Sequence, residues 1–141
     1  MRNTFPARPV VVVTGASAGV GRAVVRRFAR EGAKIGLIAR GIDGLEGARR
    51  EVEAAGGEAE IYPCDVAEQA EVEAAAACFE RELGPIDIWI NAAFAGVLGR
   101  FADIDMVDYR RVTDVTYHGQ VYGTRAALDR MLPRGRGSIV L

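Results

Sequence analysis

Between Val10 and Arg22 the chain passes from four consecutive valines through three closely spaced glycines into a helical pattern, and few folds accommodate that transition. Val10 to Val13 are β-branched and apolar, which marks a strand buried on both faces at the centre of a parallel sheet. Gly15, Gly19 and Gly21 remove side chains where the backbone turns, and Val20, Ala23, Val24 and Phe28 then fall on one helical face. A strand that turns through glycines into a helix aims unpaired N–H groups and the positive end of the helix dipole at one small volume. That volume suits a phosphate, and the missing side chains leave room for a diphosphate. The nucleoside triphosphate loop G-x-x-x-x-G-K-[ST] is excluded because no Lys follows the glycines. The fingerprint G-x-G-x-x-G is also absent, since Val24 stands where its third small residue belongs. The pattern present is Thr14-Gly15-x-x-x-Gly19-x-Gly21, with Ser17 and Val20 inside the loop. A glycine-rich turn with no ligand would carry the same residues.

The 141 residues suffice for one domain with a real core, burying about two-thirds of the unfolded surface. Eighteen basic against 19 acidic residues give a net charge of −1, which provides no attraction for nucleic acid or an acidic membrane. The longest apolar runs, Val10–Val13 and Ile35–Ala39, are too short to span a bilayer. The first residues carry no apolar signal segment, so a cytoplasmic location is expected. Cys64 and Cys78 lack C-x-x-C spacing and a nearby His, so no metal site is expected and each is read as a small packing residue.

The remaining chain alternates strands with helices. Residues 1–8 form a short polar lead, and residues 9–141 one nucleotide-binding domain. Strands are expected at Lys34–Ala39, Ala59–Pro63 and Ile86–Asn91, with a fifth opening at Ser138–Leu141. Leu45, Ala48, Val52 and Ala55 have helical spacing, Ala67–Leu83 is a helix stopped by Gly84-Pro85, and a long helical stretch runs from about Asp105 to Leu132. This order describes an α/β fold, a Rossmann-like doubly wound parallel sheet with strand order 3-2-1-4-5 and helices on both faces. Its ligand crevice lies between the first and fourth strands at their carboxyl ends.

Chemistry-bearing residues should therefore gather at strand ends, and they do. Arg40 follows the second strand where an NAD-binding protein usually places an acid for the ribose 2′-hydroxyl, and a guanidinium there can instead hold a 2′-phosphate. An exposed Arg in a chain rich in them is the alternative reading. Asp65-Val66 follows the third strand, where Asp65 is also placed to cap the next helix, with Glu68 completing a capping box. Asn91-Ala92-Ala93-Phe94 follows the fourth.

Together with the glycine motif, these stretches resemble the short-chain dehydrogenase/reductase family over Pro9 to Leu141. The resemblance implies binding of NADP in preference to NAD, with Ala39 neutral where NAD enzymes of the family commonly carry the acid. It implies that Asp65 and Val66 meet the adenine, that Asn91 ties its strand to its neighbours, and that Ala92 and Ala93 lie beside the adenosine ribose. Phe94 departs from the family's Gly and either shifts this loop or narrows the pocket.

Members of the family use a Tyr as general acid or base, with a Lys four residues later that lowers its pKa, and a Ser that orients the substrate oxygen. No Tyr-x-x-x-Lys occurs here, because the single lysine, Lys34, precedes Tyr62, Tyr109, Tyr117 and Tyr122. Thr116 stands where the family has an Asn that supports a proton-carrying water chain. His118 is read as structural, and the helical tyrosines as packing or subunit-contact residues. No catalytic residue is assigned. The expectation is the NADP(H)-binding portion of an oxidoreductase for a carbonyl or alcohol small molecule, inactive as these 141 residues alone, with the sheet incomplete on its C-terminal side and an open edge at Ile139–Leu141 that leaves the isolated chain poorly soluble or in need of a partner. A homo-oligomer through the long helix is implied. The alternative is a non-catalytic nucleotide-sensing or interaction module ending at Leu141.

Overall fold

The computed structural model describes residues 6–141. Of the lead expected over 1–8, residues 1–5 lie outside the described residues, while Arg8 donates from Nε to the Gly32 carbonyl at 3.0 Å. The elements follow in the order β1 (Val10–Thr14), α1 (Gly19–Ala29), β2 (Lys34–Ala39), α2 (Ile42–Ala54), β3 (Glu58–Pro63), α3 (Gln69–Leu83), β4 (Ile86–Asn91), α4 (Met106–Thr113), a π-helical turn at Asp114–His118, α5 (Gly119–Met131) and β5 (Ser138–Val140). Five parallel strands pair in the order β3-β2-β1-β4-β5. This is the expected doubly wound sheet.

Alternation along β1 divides the core. Val11 and Val13 face α1 and α2, packing with Val25, Ala29, Leu45, Ala48 and Val52, whereas Val10 and Val12 share the opposite face with Phe79, Trp89, Ala126 and Met131 of α3, β4 and α5. Two helix layers thus bury a sheet whose middle strand is apolar throughout, as a parallel sheet demands. Where α3 crosses β2, the strand has no side chain: a Cβ at Gly36 would lie 2.7 Å from the Phe79 ring.

Three sequence expectations change. The apolar face of α1 is Gly21, Val25 and Ala29, with Val24 and Phe28 half-buried, while Val20 and Ala23 point to solvent. The helix is rotated by about one residue because Gly21 packs against the Gly15 carbonyl, where any side chain would collide. The long helix is three segments, since a π turn interrupts it: the Gly119 N–H donates to the Asp114 carbonyl, five residues back. The helix after β3 starts at Gln69 and not Ala67. Among the described residues, no helix is long and apolar enough to cross a membrane.

The Gly36 contact generates a test. Gly36→Ala forces a methyl against a fully buried ring and is expected to destabilise the domain by about 1–3 kcal/mol, read as a lower urea midpoint with an unchanged slope.

Candidate functional site: a cation-lined crevice at the strand ends

At the carboxyl ends of the strands the connections diverge to opposite faces, and a cavity of about 250 Å³ opens there. Its lining includes Gly15, Ser17, Arg40, Asp65, Val66 and Ala93, six of the residues singled out from sequence. Ala39, Cys64, Phe94, Ala95, Arg111 and Val115 complete it. Phe94 stands 76% exposed at the edge of this space. Thr14, Asn91 and Ala92 lie behind the wall, and Gly19, Val20 and Gly21 do not line it.

Thr14 frames the crevice. Buried at the end of β1, its Oγ1 accepts from the backbone N–H groups of Ala92 and Ala93, each at 3.0 Å, and so pins the first strand to the loop leaving β4. Asn91 adds a second tie: its Oδ1 accepts from Trp89 Nε1 at 3.0 Å and its Nδ2 donates to Thr124 Oγ1 at 3.3 Å, so the side chain fastens β4 to α5 while its backbone pairs with Thr14 of β1. That approach is close enough that a Cβ at Gly123 would lie 2.3 Å from Asn91 Oδ1.

The glycines of the bend have distinct tasks. Gly15 turns with φ +69° and lies so near the Ala92–Ala93 backbone that a Cβ would come within 2.9 Å. Gly21 clears the way for Gly15 itself and not for a ligand. Only Gly19, at φ +53°, faces open space. Arg22, which the sequence did not single out, holds this loop from behind: Nη1 donates to the carbonyls of Ser17 at 3.0 Å and Gly44 at 2.9 Å, while Nε meets Glu51 Oε2 at 2.9 Å. Arg26 adds a fork onto Glu51 at 2.7 and 3.0 Å. Hydrogen bonds from Arg26 and Arg22 hold the Glu51 carboxyl down to about 2.

Asp65 is not the N-cap of α3, and Glu68 completes no capping box. Glu68 itself occupies the N-cap without a side-chain bond. Asp65 Oδ1 accepts from the Ala67 N–H at 3.0 Å, and its own N–H donates to Glu71 Oε2 at 2.8 Å. The polypeptide spends two further residues in a turn before the helix begins, which moves the partner from Glu68 to Glu71. Burial pushes the Asp65 carboxyl up, but hydrogen bonds from Arg111 and the Ala67 N–H, with the charges of Arg111 and Arg40, outweigh it and hold the group below its ordinary value. Cys64 beside it is driven the other way, chiefly by burial and then by Glu71 and Asp65, to about 12, so it stays a neutral thiol.

Across the crevice, Thr116 Oγ1 donates to the Ala95 carbonyl at 3.1 Å and accepts from the Ala95 N–H at 3.2 Å. It clasps both polar groups of one cavity-lining residue in the loop after β4. His118 faces Asp114 at 3.1 Å and stacks near Tyr122, outside the cavity lining. The single lysine, Lys34, sits at the opposite, amino end of β2, bonded to the Leu83 carbonyl and Glu58. Among the described residues, no cluster of three metal-type side chains occurs.

A Gly-rich bend after the innermost strand, opening on a crevice at the switch point of a 3-2-1-4-5 sheet, is the architecture of dinucleotide-binding oxidoreductases. The family model described as "short chain dehydrogenase" matches residues 9–141, and the chain belongs to that family. It is 34% identical over 126 residues to the oxidoreductase YxnA of Bacillus subtilis, covering 89% of this chain and 35% of that protein. Among solved structures it superposes on an NAD⁺-bound xylitol dehydrogenase with TM-score 0.90 and 31% identity, covering 96% of this chain and 52% of that one. An alcohol dehydrogenase of the archaeon Thermococcus sibiricus, complexed with 5-hydroxy-NADP, gives 0.87 and 28%, covering 94% and 57%. The chain thus spans about a third of that relative's length and about half of each solved chain. The relatives are oxidoreductases, which supports the enzyme reading over the sensing module. Their ligands include both dinucleotide types, so preference has to be argued from this chain's own residues.

Two measurements follow. Thr14→Val strands two backbone N–H groups and is expected to cost about 1–3 kcal/mol in urea unfolding, whereas Thr14→Ser retains the acceptor and stays near the parent. Because Glu51 titrates lower folded than unfolded, its contribution is present above about pH 4.5 and lost as pH falls toward 2. Glu51→Gln should therefore lower the melting temperature at neutral pH, with the gap to the parent closing across that window.

Proposed function

We propose that this chain is the NADP(H)-binding portion of an oxidoreductase acting on a carbonyl or alcohol small molecule. The observation that carries the reading is the pairing of a side-chain-poor bend with a cation at the end of β2. Ala39 and Arg40 both line the cavity, leaving no carboxylate on that strand end to repel a 2′-phosphate. The residues present fit the group. The bend formed by Gly15, Ser17, Gly19 and Val20 would take the diphosphate, with Val20 on the exposed rim and Gly21 behind it making room for Gly15; Arg40 would take the 2′-phosphate, Asp65 and Val66 the adenine, and Ala92 and Ala93 the adenosine ribose. Thr14 and Asn91 act behind them by fixing the strand ends.

The bound dinucleotide would supply the hydride chemistry. What these residues contribute is orientation and charge at its adenosine-phosphate end. No catalytic acid is assigned here, since no Tyr-x-x-x-Lys occurs in the 141 residues and Lys34 lies at the far end of the sheet. The helical stretch from α4 to α5 exposes Met106, Val107, Tyr109, Tyr117 and Val121, and we assign it to a homo-oligomer contact.

Titration of the intact protein with the two cofactors tests the reading. Arg40→Ala is expected to weaken NADP⁺ by about ten- to a hundredfold, the worth of a charge-assisted hydrogen-bond set, with little change for NAD⁺. Equal losses for both refute the 2′-phosphate contact.

A further inference from the structure

Glycine weakens a helix interior relative to alanine, yet the first half of α2 carries two, Gly44 and Gly47, on one face. Packing explains both. A Cβ at Gly44 would lie 2.7 Å from Ser17 Cβ, and one at Gly47 would lie 3.0 Å from Arg22 Nη2, so the pair forms a notch that admits the bend and the Arg22 guanidinium. We propose that Arg22, seated in this notch, is a positioning residue that makes the glycine bend and the start of α2 one rigid frame, and so couples the diphosphate contact to the 2′-phosphate contact. The inference rests on reading the bend and Arg40 as the two phosphate-holding ends of the cavity.

One nitrogen spans the two ends. Nη1 of Arg22 donates to the Ser17 carbonyl in the bend at 3.0 Å and to the Gly44 carbonyl in the first turn of α2 at 2.9 Å, while Nε is held by Glu51 Oε2 at 2.9 Å. Arg40 and Gly41 lead straight into that first turn, so the seat of α2 sets where Arg40 stands. The base of the bend has its own tie to β2, from the Ala16 N–H to the Ile38 carbonyl at 3.0 Å. Arg22 supplies the tie on the far side. Its side chain is only 15% exposed, which leaves these three acceptors, and not water, as the partners of its donors. Ser17 and Arg40 line the cavity and Arg22 does not, so it acts on a ligand only through them.

A ligand that touches both the bend and Arg40 is held at two points. When both points belong to one frame, the second contact forms within an existing complex and its ordering precedes the ligand. Loosening the frame removes that advantage only from a ligand that uses both points. NAD⁺ carries no 2′-phosphate and uses the bend alone, so it loses only through the bend's own disorder. A mere brace would weaken both cofactors by one factor. A coupling residue weakens NADP⁺ more, and the excess depends on Arg40.

The test is calorimetric titration of the intact protein with NADP⁺ and NAD⁺, for the parent, Arg22→Met, Arg40→Ala and the double variant, with melting temperature as the check on folding. Arg22→Met is expected to weaken NADP⁺ by about tenfold more than NAD⁺. In the Arg40→Ala background the same change should cost the two cofactors alike, because one of the coupled ends is gone. Arg22→Lys, a single ammonium in place of a fork, should lie between the parent and Met. Equal losses from Arg22→Met alone, or none, overturn the inference: Arg22 then only braces the bend, and the dinucleotide reading stands wherever Arg40→Ala still separates NADP⁺ from NAD⁺. An excess loss of NADP⁺ that survives in the Arg40→Ala background overturns it too. If Arg40→Ala by itself weakens both cofactors alike, the 2′-phosphate contact is refuted and the coupling falls with it. Should Arg22→Met fail to fold, Gly47→Ala carries the same comparison, since its methyl displaces the guanidinium from the notch and keeps the charge.

Discussion

The structure depends on one hydroxyl at the point where the sheet's connections diverge. Parallel strands leave their carboxyl ends without hairpin partners, and the loops after β1 and β4 run to opposite faces. Two backbone N–H groups just past β4 would be orphaned there, and Thr14 Oγ1 accepts from both. A side chain from β1 thus holds those two N–H groups at the crevice wall. The glycines serve the same end: Gly15 brings the bend against the Ala92–Ala93 backbone, and Gly21 lets α1 start against Gly15.

Charge is distributed around that frame with a division of labour. The Arg22, Arg26 and Glu51 group lies behind the bend and works on its backbone, by holding the Ser17 carbonyl. The Arg40, Asp65 and Arg111 group lies within the cavity and is available to a ligand. Two guanidinium groups against one carboxylate leave the inner wall with a surplus positive charge, in a protein whose overall charge is −1. The cationic character of the crevice is therefore local and owes nothing to the whole molecule.

The strand order, the two helix layers and the position of the crevice were legible because they rest on periodicity and on Gly and Pro punctuation, which are local. So were Gly15, Ser17, Arg40, Asp65, Val66 and Ala93 as cavity residues, since a strand end places whatever follows it at the crevice. The failures came where an adjoining turn, and not the helix's own pattern, set the geometry. Val20 read as apolar-face and proved exposed, because the rotation of α1 is set by contact with Gly15 and not by its own hydrophobic pattern. Glu68 read as a capping partner and yielded to Glu71, because the turn after Asp65 is longer than the motif assumes.

By itself, then, the amino-acid sequence determined the class of fold, its family and the chemical character of the strand ends, for those follow from residue types at short spacing. Tertiary structure alone decided which side chains close the site. Arg111 reaches Asp65 across 46 positions and Thr116 faces Ala95 across 21 because the sheet brings both strand ends to one place, beside a helix that a π turn at Asp114–His118 interrupts. No periodicity announces a one-residue slip in helical phase. It becomes visible only when the helix is seen against the crevice wall it serves.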